Sequence, residues 1–342
     1  MNDKMIQSYN ENRGQQFPFD VVIPTDEKNS KFVGTVVTHV RRRMPEAGTI
    51  YIVTKRILFD KIKRYVHDDD WQLIDENTMV AGLSFSEVFG YLKKKGCDSV
   101  NKVGWYFQQF LKLAFALTSY CKGYYLTWDS DTLPISELHF FQDGQPLFTM
   151  KKEYHRPYFN TLQRLIGLDK TSSKSFIAEH MIFKPEFVCE MIEEISQNTL
   201  PGKNWVEKII QACDFDYEEH CFSEFETYGT FCTVRYPGYY GEQTLNTFRA
   251  LKGDAVAIGK IRQTRLKRFV VEDVLELLAA LLLQTVQRGL SDVDIASFEI
   301  YDAMFPYDIE KRIYIWKSRW KRLTNLSPSQ ALGLIWRRIF KK

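Results

Sequence analysis

Asp129 and Asp131 are two acids one position apart, set at the end of an apolar run (Tyr124, Tyr125, Leu126, Thr127, Trp128) and followed by Pro134. A run this rich in aromatic and branched residues reads as a buried strand. In open α/β sheets ligands bind beyond the carboxyl ends of the strands. Two carboxylates there suit one hard divalent cation, with substrate phosphates and water as its other ligands. The spacing alone is weak, because the pairs Asp68/Asp70, Asp214/Asp216 and Asp292/Asp294 share it. None of those follows a comparable apolar strand, so context selects Asp129 and Asp131, with Ser130 between them.

The elements that must position this pair are legible upstream. Residues 19–24 read as a first strand, 31–43 as a helix, 49–54 as a second strand, 59–66 as a short helix and 71–74 as a third strand. Alternation of this kind predicts an α/β fold with a mostly parallel sheet and helices on both faces. A nucleotide would lie across its carboxyl edge, near Pro24, Thr25, Thr54 and Asp75. Residues 104–121 give a helix with Phe110, Leu113, Leu117 and Cys121 on one face. Trp105, Gln109 and Lys112 fall on another face, where Lys112 could meet a phosphate and Gln109 a hydroxyl.

Downstream, residues 146–151 read as a strand and 152–158 as a loop. His155 and Tyr158 are candidates for an acceptor sugar there, since rings with polar tips suit sugar faces. His180 lies among apolar residues beside Glu179. Ser223, Glu224, Phe225 and Glu226 offer two carboxylates. If the segment is extended both share a face, and if it is helical they diverge. Either acid is a candidate general base for an acceptor hydroxyl. Arg249 is a further candidate for a diphosphate contact.

The strand ending in Asp129-Ser130-Asp131 resembles the DxD motif of GT-A glycosyltransferases, and residues 19–25 resemble the first strand of that fold. Residues 104–112 and 223–229 are similar to a poorly characterised bacterial branch, of the DUF6492 type, connected with surface polysaccharide synthesis. The resemblance covers roughly the first 250 residues. It implies a GT-A catalytic domain over 1–252 and Mn²⁺ or Mg²⁺ held by Asp129 and Asp131, with His180 completing the metal site or touching the acceptor. It also implies a nucleotide-sugar donor, expected to be UDP-linked, and a saccharide or lipid-linked acceptor. Inverting and retaining transfer both stay open.

Composition sets the remaining bounds. Hydrophobic residues are 44% of 342 and aromatics 15%, enough for a large core. The six cysteines show no C-x-x-C pair and read as reduced thiols, as in a cytoplasmic protein. The longest apolar run, 277–283, is too short to span a bilayer. Residues 253–310 read as a helical extension. The last segment, 311–342, carries ten Lys and Arg and no acid, so a net charge of +3 leaves the rest of the chain at −7. With Trp and Leu among the bases, this tail reads as an amphipathic anchor on an anionic membrane surface, at the inner face of the plasma membrane. A sugar-nucleotide nucleotidyltransferase is the first alternative, weakened by the absence of Gly in residues 24–30. A basic nucleic-acid-binding protein is the second. It leaves the acidic strand end unexplained, so no nucleic-acid partner is expected.

Overall fold

Phe19, Val21, Val22 and Ile23 are all buried, so β1 (Phe19–Pro24) has apolar residues on both faces, as a strand covered on both sides requires. The computed structural model describes residues 19–97, 99–216, 218–249 and 293–297. The chain divides into two compact units between Leu245 and Asn246.

In the first unit α1 (Val33–Arg43) follows β1, then β2 (Ala47–Thr54), a 3-10 turn (Arg56–Leu58), α2 (Phe59–Lys63) and β3 (Trp71–Asp75). Next come α3 (Phe85–Lys94), α4 (Val100–Ala114), β4 (Tyr125–Trp128), β5 (Thr132–Pro134), β6 (Phe141–Gln142), β7 (Gln145–Thr149) and α5 (Arg156–Ile166). The unit ends with β8 (His180–Phe183), α6 (Pro185–Gln197), α7 (Trp205–Ala212), α8 (Glu224–Arg235) and β9 (Gly241–Gln243). The central sheet has the order β3-β2-β1-β4-β8. Its first four strands are mutually parallel, and β8 runs antiparallel to β4. The fold is therefore mixed α/β with a mostly parallel sheet. A smaller sheet is ordered β6-β7-β9.

One face of the central sheet (Val22, Tyr51, Val53, Tyr125, Phe183) belongs to a large core cluster with residues of α3, α4, α6, α7 and α8. Val21, Ile23, Ile50 and Ile52 point the other way and are buried as well. Of the second unit, β10 (Thr247–Arg249) and β11 (Ile295–Ser297) pair in parallel. That strand lies inside the stretch read as a helical extension. Apart from residues 293–297, both that extension and the basic tail fall outside the described residues.

Two sequence expectations are corrected here. The helix expected over 104–121 ends at Ala114, with a 3-10 turn over Phe115–Leu117. Thr118 is extended and its Oγ1 donates to Phe115 O at 2.8 Å, so the side chain takes the place of the next helical N–H. Leu117 is consequently exposed. The loop expected over 152–158 gives way at Arg156 to α5, whose first turn contains Pro157, a residue pre-set for that position. The choice left open at 223–226 falls to the helical alternative, which sends the two acids in different directions.

Candidate active site

The carboxyl ends of β1, β2 and β3 are tied into one row. Thr25 N donates to Val53 O at 2.9 Å, Thr54 Oγ1 donates to Thr25 O at 2.7 Å, and Glu76 N donates to Thr54 O at 3.0 Å. Pro24, Thr25, Thr54 and Asp75 thus stand along one edge, as the alternation predicts. Glu76 joins them, buried at the end of β3. Burial pushes its carboxyl up to about 7, Asp75 and Asp26 push the same way, and Lys55 opposes them. The sequence showed Glu76 only as one acid in a polar turn. Its burial comes from the backbone bond to Thr54, which no local pattern reveals.

β4 delivers Asp129 to the same edge. Asp129 N donates to Glu179 O at 3.0 Å, and Thr132 N donates back to Asp129 O at 3.1 Å, closing a turn that contains Ser130 and a half-buried Asp131. Tyr125 OH donates to Lys112 O at 3.0 Å, so this face of β4 looks onto α4. Lys112, 3% exposed, donates to Asp129 Oδ1 and to Glu224 Oε1, each at 2.9 Å. Burial works against its charge, but Asp129 and then Glu224 outweigh burial and hold the ammonium above its ordinary value. Burial lifts Glu224, and Lys112 opposes that lift. The face expected to carry Trp105, Gln109 and Lys112 is therefore a buried polar seam. Gln109 Oε1 accepts from Glu224 N at 3.1 Å and so caps α8, while its Nε2 donates to Trp105 O at 3.3 Å.

Ser223 is the N-cap of α8, its Oγ accepting from Glu226 N at 3.2 Å. The segment is helical, so the two acids diverge. Glu224 faces Lys112. Glu226, 1% exposed, accepts at Oε1 from Ser175 Oγ at 2.6 Å and Phe176 N at 3.2 Å, and Lys170 Nζ stands 3.6 Å from its Oε2. Glu226 fastens the 170–176 loop to α8. The two acids are therefore engaged with different groups, Glu226 with the 170–176 loop and Glu224 with Lys112, and do not stand as a pair.

The β4–β8 register sets His180 opposite Trp128, and the two rings stack with centroids 5.0 Å apart. Successive side chains alternate faces, so the ring lies across the sheet from Asp129 and Lys112. It shares a 2.7 Å hydrogen bond with Thr149 Oγ1 through Nε2, and burial pushes its pKa down to about 3. Its Nε2 bond ties it to Thr149 in the core, and no hydrogen bond joins its ring to Asp129. Among the described residues no three His, Cys, Asp or Glu side chains converge as a metal cage.

His155 and Tyr158 stay near the site, on the first turn of α5. His155 Nε2 shares a 2.8 Å hydrogen bond with His220 O, and the His155 ring meets the Tyr158 ring at 4.4 Å. Burial, then Glu224, holds the Tyr158 phenol above its ordinary range, which places it in the field of that carboxylate. Trp105 packs edge-on to His220 at 4.7 Å, and Lys102 Nζ lies 2.9 Å from His220 Nε2. Trp105, His155, Tyr158 and His220 form an aromatic and imidazole rim at that end of the site. His220 carried no signal in the sequence, since it sits in an acidic loop without periodicity. Arg249 falls in β10 of the second unit.

The sequence profile of the family of unknown function DUF6492 matches residues 33–252, and the chain belongs to that family. No curated protein matches it. Among solved structures it is similar to the galactosyltransferase LgtC in complex with donor and acceptor sugar analogs, with 10% identity and a TM-score of 0.41 over 92% of this chain and 99% of that one. It is also similar to the bifunctional glycosyltransferase WbbM, with 11% identity and a TM-score of 0.42 over 88% of this chain and 52% of that one. A third is the glycosyltransferase GlyE of Streptococcus pneumoniae TIGR4, with 12% identity and a TM-score of 0.35 over 81% of this chain and 65% of that one.

Proposed function

We propose that this chain is a GT-A-type glycosyltransferase that moves a sugar from a nucleoside diphosphate, expected to be UDP, to a hydroxyl of a lipid-linked or surface saccharide. The observation that carries the proposal is the buried Lys112 ammonium. It joins the first acid of the DxD turn to Glu224 at the carboxyl edge of a parallel sheet, where a nucleotide binds. Thr25, Thr54, Asp75 and Glu76 line the nucleotide's end of that edge. The rim of Trp105, His155, Tyr158 and His220 suits the acceptor's end, with ring faces for a sugar and polar tips for its hydroxyls.

The donor set fits a divalent cation. Asp129 and Glu224 set two carboxyl groups against one ammonium, Asp131 stands two positions beyond Asp129 in the same turn, and Asp129 already holds a positive group. Asp129 and Asp131 would hold Mn²⁺ or Mg²⁺, which supplies Lewis-acid neutralisation of the departing diphosphate. The chain's own residues do the rest. Lys112 keeps Asp129 and Glu224 in fixed positions and adds a second positive charge beside the leaving group. In an inverting displacement Glu224 takes the acceptor's proton, and its lifted pKa makes it a better base than a solvated carboxylate. The basic tail, 311–342, would hold the enzyme on the anionic inner face of the membrane, where lipid-linked acceptors reside.

A thermal-shift panel of UDP-, GDP-, CMP- and dTDP-sugars, with and without Mn²⁺, tests the reading. One nucleotide class should stabilise the protein only with metal, and Asp131→Asn should remove that shift. No shift with any sugar nucleotide would overturn the proposal.

A further inference from the structure

Ile57 is 86% exposed, more than any other large apolar side chain among the described residues. It sits in the 3-10 turn that leaves β2 immediately after Thr54, and α2 continues that turn. The segment is amphipathic. Leu58, Ile62 and Val66 are buried beneath it. Lys55, Arg56, Lys63 and Arg64 are exposed, as is the Tyr65 ring at 40%. Residues 55–65 hold five Lys and Arg against one acid, Asp60. Two of these cations make long, solvated pairs, Lys61 with Glu27 at 3.8 Å and Lys63 with Asp60 at 3.9 Å. Pairs of that kind are worth little and leave the positive potential in place.

An aliphatic side chain held in water beside a ring of cations fits a surface that is apolar below and anionic above. We propose that residues 55–65 dock on an anionic bilayer. Ile57 and the Tyr65 ring enter the boundary between headgroups and acyl chains, while Arg56, Lys63 and Arg64 meet lipid phosphates. Charge decides against the chain's own tail as the occupant, because residues 311–342 carry ten bases and no acid and would be repelled. The segment leaves the sheet at Thr54, so the docked surface adjoins the strand ends. The contact therefore brings that edge to where a lipid-linked acceptor lies. Only this purpose rests on the glycosyltransferase reading; the docking itself does not.

The test is flotation of the full chain with phosphatidylcholine vesicles, with and without phosphatidylserine. Wild type should float only with the anionic vesicles. Ile57→Ser should weaken that binding about 10-fold, the transfer value of one aliphatic side chain. The pair Arg56→Glu and Arg64→Glu should weaken it by about 100-fold or more, since each reversal replaces an attraction by a repulsion. All three positions are exposed, so unfolding midpoints should not move. In Ile57→Trp, brominated lipid should quench emission beyond the wild-type level. Several results would overturn the proposal. These are a wild type that does not bind, variants that bind as wild type does, an unquenched Trp at 57, or an Ile57→Ser change that alters sedimentation as a dimer while leaving flotation intact. Donor-induced thermal shifts, measured on the same samples, report separately on the glycosyltransferase reading. They can fail while docking holds, or hold while docking fails.

Discussion

Lys112 shows how one residue can set a site's chemistry. An ammonium at 3% exposure is tolerable only because Asp129 and Glu224 hold it, and those carboxylates are held in turn by Lys112. Lys112→Met keeps the chain's volume and deletes the charge, stranding the buried Glu224. The expected loss is about 3–5 kcal/mol of stability, as for one broken partner of a buried pair, measured by urea unfolding. An unchanged midpoint would show that the ion pairs are not formed in solution. Glu226 makes the contrasting case. Its hydrogen bonds go to Ser175 and Phe176, so Glu226→Gln should cost about 1–3 kcal/mol through a poorly matched buried acceptor. The donor-induced thermal shift should remain. A variant of full stability that has lost sugar transfer would return Glu226 to the chemistry.

At the scale of elements, the packing of α8 against the 170–176 loop decides where those acids stand. Gly229 lies on α8 where a Cβ would run into the Phe176 ring, and Phe176 N is the group that Glu226 holds. Gly229→Ala should therefore cost about 1–3 kcal/mol by overpacking, and the urea midpoint should fall accordingly. A neutral result would mean that the loop yields and that α8 and the loop are not locked together. None of this was legible at positions 223–229. There the same residues suit an extended or a helical reading, and the Ser223 cap settles the matter only once the structure is known. The strands were legible because β1, β2 and β4 are buried on both faces and so read as apolar runs. Their parallel order followed from alternation with helices. The position of Asp129 at the end of β4 was legible because it closes such a run. His180 misled because strand pairing, which the sequence does not display, fixes the sheet face on which a side chain lies. Gln109 misled because its partner, Glu224 N, is 115 residues away.

The whole molecule combines these buried groups into a pH profile with opposing parts. Folding lowers the His180 pKa from 6.5 to about 3, so its unfolded form binds more protons between those values. Its contribution to stability is full above 6.5 and is lost as pH falls toward 3. Glu76 acts the other way. Its folded pKa of about 7 exceeds the ordinary 4.5, so the folded form binds more protons in that window and stability falls as pH rises through it. Between 4.5 and 6.5 the two terms oppose each other, and from 6.5 to 7 only the Glu76 term is left. Glu76→Gln removes one side of this balance. Urea midpoints for that variant should rise with pH from 4.5 to 6.5 more steeply than those of wild type, and should then level. Parallel wild-type and variant curves would show that Glu76 is not buried in solution. That result would also remove Glu76 as a group through which donor binding, on the proposed reading, could depend on pH. If the curves diverge as expected, donor binding should depend on pH through the same carboxyl group, because the nucleotide would lie against it.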